Sequence, residues 1–223
     1  MKNKNKKSYL LIRFFFIYSN MRYIREYNTF GSTLIIVDVQ KSFKKFFTDN
    51  YLKELNRYCL KFDKVYQIFD NHVDGKNVDK DYLYDDNPDI ENKSDLYKFN
   101  NQVDLIEKRY NYDVDADFYK KILDEKVYND IKMKEKNKSL KRGDYFPTKE
   151  GTIIVYIANN HRWFHVPKKL YDIFLELKGD DVIIVGGSDQ ECYLDIEVSG
   201  RSLGVNVKRN QNYIYSATHC PIK

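Results

Sequence analysis

Cysteine, glycine and proline are all scarce in this sequence: three, nine and four among 223 residues. The cysteines, Cys59, Cys192 and Cys220, are odd in number and far apart. That argues against a disulfide framework and fits a reducing, cytoplasmic setting. No Cys-x-x-Cys pair and no Cys/His zinc spacing occurs, so no metal is expected from cysteine chemistry. No G-x-G-x-x-G occurs, and no Lys-Ser pair ends a glycine-rich phosphate loop, which places a nucleotide-binding domain well behind other readings. The apolar stretch from Tyr9 to Tyr18 is broken by Arg13 and is too short for a stable membrane span.

What remains describes a folding chain. Hydrophobic residues make up 42% and aromatic residues 16%, too many for a disordered segment. The length fits one domain with an insertion. Charge is mixed, 38 basic against 33 acidic side chains for a net +5, and reads as a solvated surface with no nucleic-acid signature. Tyrosine, lysine and asparagine are enriched as in an AT-rich coding sequence, so the lysine content is no argument for an acidic partner. Residues 1–30 read as an extension and 31–223 as a single domain with an insertion near 113–150. Three readings of the first twenty residues stay open: a segment resembling a signal peptide without its small-residue cleavage site, read-through upstream of a start at Met21, or a poorly packed extension.

The domain begins with TLIIVDVQ (33–40), a continuous β-branched run of the kind buried on both faces of a parallel sheet. An amphipathic helix from Asp49 to Phe62 follows, then a strand KVYQIFD (64–70), a polar loop over 71–101 and a strand VDLIEKRY (103–110). Residues 113–142 read as helical, with a solvated lysine-rich face over 126–142. GTIIVYIA (151–158) is a further strand. Pro167 opens a helix that Gly179 ends, DVIIVGG is the next strand, and Gln190 to Leu203 is a helix closed by Gly204. VNVKRN and NYIYS are the last extended pieces. Strand and helix alternate, which predicts an α/β fold: three α-β-α layers around a doubly wound, mainly parallel, Rossmann-like sheet.

In such sheets function gathers at the carboxyl ends of the strands. Those ends hold Asp38 and Gln40; Asp70, Asn71 and His72; Lys108, Arg109 and Tyr110; Asn159 to Trp163; and Ser188, Asp189 and Cys192. An acid, a lysine and a cysteine therefore converge, and their chemistry is coherent. A thiol needs a lowered pKa or an adjacent base to act as a nucleophile. The first turn of a helix and Lys108 each favour the thiolate. Asp38 takes the thiol proton and passes it to a leaving amine. Backbone N–H groups between Ser188 and Cys192 face a developing oxyanion. Against this, Asp189 and Glu191 place two negative charges beside the thiol. A simpler reading makes Cys192 a small buried hydrophobe, Asp38 a turn cap and His72 a loop histidine. Cys59 reads as core. Phe43, Tyr110, His161 and Trp163 are the candidate substrate-binding residues; Asn160 and His165 join the polar-aromatic cluster at their strand end.

The set resembles the isochorismatase-like cysteine hydrolases, which include nicotinamidases and related amidases. Asp38-Val39-Gln40-Lys41-Ser42-Phe43 is similar to their D-x-Q-x-x-F, IEKRY with Lys108 to their lysine-bearing turn, and VIIVGGSDQECYLDIEVSGRSLGVNVK to their strand-Gly-turn-Cys-helix element. The resemblance runs over roughly residues 33–215 in element order, on three specific motifs. It implies a doubly wound three-layer fold, an Asp38-Lys108-Cys192 triad, attack of the thiolate on an amide carbonyl, and a cis peptide in the oxyanion loop. A cysteine points to the amidase side of the family. Gly-Gly-Ser-Asp-Gln-Glu-Cys-Tyr departs from the family's Gly-Val-x-Thr-x-x-Cys-Val. Asp70-Asn71-His72 matches the start of the nicotinamidase metal segment, but no second histidine follows, and no metal is expected. A rival register makes GTIIVYIANNHRWF the lysine-bearing strand, where no lysine stands.

The expected function is thus hydrolysis of a small amide or related acyl compound, without a cofactor. The expected partners are a small-molecule substrate and, as in many family members, further copies of the chain in a homo-oligomer. The alternative is a catalytically inactive isochorismatase-like fold serving as a binding or assembly module.

Overall fold

A computed structural model describes residues 33–70, 96–99, 103–108, 117–158 and 162–222. Its centre is a five-stranded parallel sheet. The strands are β1 (Thr33–Val37), β2 (Lys64–Asp70), β3 (Val103–Lys108), β7 (Asp181–Gly186) and β8 (Asn206–Ile214), in the order β3-β2-β1-β7-β8. The chain winds outward from β1 to β3, then returns beside β1 with β7. The reversal falls between β1 and β7, where open α/β sheets bind ligands.

β1 explains why the sheet has two cores. Leu34 and Ile36 point to one face and Ile35 and Val37 to the other, and all four are fully buried. Alternate residues of a strand face opposite ways, so only a strand covered on both sides is apolar throughout. One face is covered by α1 (Asp49–Cys59), whose Tyr51, Leu55, Tyr58 and Cys59 form a buried stripe. The Thr48 hydroxyl accepts from the Tyr51 N–H at 3.1 Å and starts that helix. The opposite face is covered by α4 (Lys168–Glu176) and α5 (Cys192–Ser202), through Leu170, Ile173, Phe174, Tyr193 and Ile196. The predicted three-layer arrangement is the fold.

Between β3 and α4 the structure departs from the expectation. The predicted helical stretch divides into α2 (Asp117–Ile122) and α3 (Glu125–Lys136). GTIIVYIA is not a strand of the parallel sheet. Its β5 (Ile153–Ala158) pairs antiparallel with β4 (Tyr145–Pro147) and β6 (Arg162–His165) in a separate three-stranded sheet. Ile153, Val155 and Ile157 join the main core while Ile154 and Tyr156 face a third one with α2 and α3. Burial on both sides gives β5 the same continuous apolar pattern as a central parallel strand. The rival register for the lysine-bearing strand therefore falls outside the parallel sheet, whereas Lys108 ends β3 within it. VNVKRN (205–210) and NYIYS (212–216), expected as two extended pieces, contribute to one strand, β8. Among the described residues no helix is long and apolar enough to cross a membrane. The segments 1–32 and 71–95 lie outside the described residues.

Candidate active site

The carboxyl ends of β1, β3 and β7 bring Asp38, Lys108 and Cys192 together. The Lys108 Nζ lies 3.1 Å from Asp38 Oδ2 and donates to Cys192 Sγ at 3.3 Å. The Asp38 and Lys108 side chains are only 2% and 3% exposed, so this charge pair is shielded from water. Cys192 is partly buried as the first residue of α5.

Each arm of the site has a local cause. Asp38 has a left-handed backbone, φ 51°, which ends β1 and turns the chain. Its N–H donates to the Ile68 carbonyl at 2.9 Å and its carbonyl accepts from the Tyr215 hydroxyl at 2.7 Å. Two tertiary contacts reinforce the turn: Gln67 Nε2 donates to the Val39 carbonyl at 3.3 Å, and Gln40, itself buried, bridges to Leu96. Across the switch point, Gly186 sits at φ 100°, and a Cβ there would lie 2.0 Å from the Val37 carbonyl oxygen. Only glycine lets β7 run that close to β1 and still turn. Gly187 packs flat on the Tyr215 ring, where a Cβ would meet carbon at 2.6 Å. The Gly187–Ser188 peptide is cis. Among the described residues, neither the Ser188 nor the Cys192 backbone N–H donates to another group. Cys192 is the first residue of an eleven-residue helix, where backbone N–H groups have no intrahelical partner and the helix dipole is positive.

Burial pushes the Cys192 thiol well above its ordinary range. The Lys108 charge opposes that rise, while a hydrogen bond to Asp38 and the charges of Asp38 and Asp195 add to it. Asp38 and Asp195 are thus the acids whose charge bears on the thiol. Asp189 is turned outward into an ion pair with Arg209 of β8. Burial and the neighbouring acids thus favour the thiol over the thiolate.

The remaining candidates fall in different places. Phe43 is half-buried in a 3-10 turn (Lys41–Phe46), its ring 6.4 Å from Phe46 at the edge of the α1-side core. Trp163 is fully buried in the third core against Phe146 and Tyr156, with ring centroids 5.8 and 5.1 Å away. That placement corrects the expectation of a stacking wall: the ring has no exposed face. His165 is buried on the Thr152 hydroxyl at 2.8 Å, which meets Thr148 at 3.0 Å. Tyr110, His161, Asn160 and His72 lie outside the described residues, as does the side chain of Asp70. Among the described residues, no three His, Cys, Asp or Glu side chains are grouped to hold a metal ion.

Several residues of the site carry no signal in the sequence. Tyr215 supports both the Asp38 turn and the glycine turn, yet it stands in an extended tail 177 residues from Asp38. Asp195, one turn into α5 from Cys192, is buried and ion-paired with Arg162 of β6. Arg209 lies over the Tyr193 ring at 4.9 Å. Compared with known proteins, the chain matches no family model, and no curated protein or solved structure shows significant similarity to it.

Proposed function

We propose that the protein is a cysteine hydrolase of isochorismatase-like type, acting on a small amide or related acyl compound. One observation carries the reading: a single buried ammonium, Lys108, contacts both the Asp38 carboxylate at 3.1 Å and the Cys192 sulfur at 3.3 Å, at the switch point of the sheet. A buried charge pair is costly to build and is a poor device for stability alone. Placed against a thiol, it supplies a base and a cation where the chemistry needs them.

The roles follow from the positions. As the sulfur attacks the acyl carbon, Asp38 accepts the thiol proton. Lys108 balances the charge that moves between Asp38 and the sulfur. The carbonyl oxygen becomes an oxyanion that the Ser188 and Cys192 N–H groups face. The C–N bond breaks, and the amine leaves with the proton held by Asp38. Water then attacks the thioester and gives Asp38 a proton; the acid departs, and the sulfur regains its hydrogen.

The test is a panel of small amides and activated acyl esters, with amine or alcohol release measured for the full chain. Turnover is expected, and Cys192→Ala reduces it to the uncatalysed rate. Release that survives in Cys192→Ala overturns the reading. A binding or assembly module predicts no release from any member of the panel.

A further inference from the structure

The Arg162–Asp195 pair links the three-stranded sheet to the nucleophile turn. Arg162 opens β6; its Nη1 donates to the Gln190 carbonyl at 2.9 Å and its Nη2 is ion-paired with Asp195. Gln190 belongs to the loop that leads into Cys192. Asp195 lies three residues beyond Cys192, and its side chain is 3% exposed. One guanidinium thus holds both sides of the thiol-bearing turn, in a planar fork that lysine cannot reproduce.

We propose that Arg162 is a positioning residue of the Cys192 site, which fixes the nucleophile turn and offsets the charge of the Asp195 carboxylate one helical turn on from the thiol; this rests on Cys192 being the nucleophile. An acid one helical turn from a nucleophilic sulfur opposes thiolate formation. The charged and titratable groups around that sulfur are Asp38 after β1, Lys108 at the end of β3, Asp195 within α5, and Tyr215 after β8. Of the two acids, Asp38 is held by Lys108, and Asp195 by Arg162. The β4-β5-β6 sheet is therefore part of the site: it brings the cation that the acidic first turn of α5 requires.

The experiment is alkylation of Cys192 by iodoacetamide in the full chain, between about pH 7 and 10, read on the Cys192 peptide by mass spectrometry. Four proteins form a cycle: wild type, Arg162→Gln, Asp195→Asn and the double variant. In Arg162→Gln the Asp195 carboxylate, having lost the guanidinium, slows alkylation at a given pH by about tenfold, one pH unit in the profile. Asp195→Asn leaves the arginine unopposed and speeds it by about the same factor. The double variant returns to within about threefold of wild type. Opposite shifts in the two single variants distinguish charge compensation from simple loosening, which moves both in one direction. Single variants that shift together, or profiles that coincide with wild type, overturn the proposal. Where Arg162→Gln does not fold by circular dichroism, Asp195→Asn and the double variant decide alone. The readout needs no turnover. If acyl substrates fail while the cycle behaves as described, the hydrolase reading falls and the charge compensation stands.

Discussion

Replacing Lys108 with methionine keeps most of its volume and removes its charge, leaving Asp38 buried without its ammonium. At 3.1 Å, two unit charges attract by about 5 kcal/mol at an effective dielectric of about 20. Methionine also spares the cost of burying a lysine, so the net loss is smaller. Breaking one side of a buried pair typically costs about 3–5 kcal/mol. For a chain of this size that lowers the melting temperature by roughly 6–20 °C. Neutralising the other partner relieves the penalty, so Lys108→Met with Asp38→Asn is expected to be more stable than Lys108→Met alone. The measurement is urea denaturation of wild type, both single variants and the double at neutral pH, read as a double-mutant cycle. A coupling of about 2 kcal/mol or more is expected. A Lys108→Met loss under about 1 kcal/mol, or losses that simply add, would refute the buried pair and the placement of Lys108 beside Asp38.

Three further predictions probe the frame of the site. Gly186→Ala and Gly151→Ala both place a side chain at positive φ, but the added carbon is crowded at 2.0 Å only in the first and meets nothing within 4 Å in the second. Urea midpoints are expected to show a loss of about 3 kcal/mol or more for Gly186→Ala and about 1 kcal/mol for Gly151→Ala; equal losses contradict the close approach of β7 to β1. Tyr215→Phe removes the 2.7 Å donor to the Asp38 carbonyl and is expected to cost about 1–1.5 kcal/mol in the same assay, whereas no loss would show that the turn does not depend on it. Burial pushes the Cys59 thiol up to about 12. Folding holds it neutral, so its contribution to stability is full below about pH 8.5 and is lost as pH rises toward 12, at up to about 1.4 kcal/mol per unit. The stability gap between wild type and Cys59→Ala should therefore narrow across that window, and a gap independent of pH contradicts the burial.

Much of the parallel sheet is legible in the sequence because its strands are covered on both faces. TLIIV and DVIIVG are apolar without alternation, and each ends where the residue type changes abruptly, at Asp38 and at Gly186-Gly187. Pro167 and Gly179 mark α4 for equally local reasons. The same logic misplaces β5, since a strand between two cores reads alike whether its neighbours are parallel or antiparallel. NHRWF reads as a polar strand end, but Trp163 and Phe164 are fully buried in β6, and its charge is taken up by a partner 33 residues away. Asp189 shows the same limit: beside Cys192 in sequence, it is bound to Arg209 in space. Adjacency along the chain singled out Asp189 and Glu191 beside the thiol, but it could not show where Asp189 or Asp195 is engaged, because that depends on long-range ion pairs. The support that Tyr215 gives to both turns is likewise invisible before the chain is folded.

Cys192 is expected to form the covalent intermediate, with Asp38 as its base. The direct measurement is acid-quenched peptide mapping after brief exposure of the full chain to a small activated acyl ester, for wild type and Asp38→Asn. An acyl group on Cys192 is expected in wild type, ahead of Cys59 and Cys220, and its formation is expected to fall by about a hundredfold or more in Asp38→Asn. Acyl groups spread evenly over the three cysteines, or acylation of Cys192 undiminished by Asp38→Asn, would contradict it.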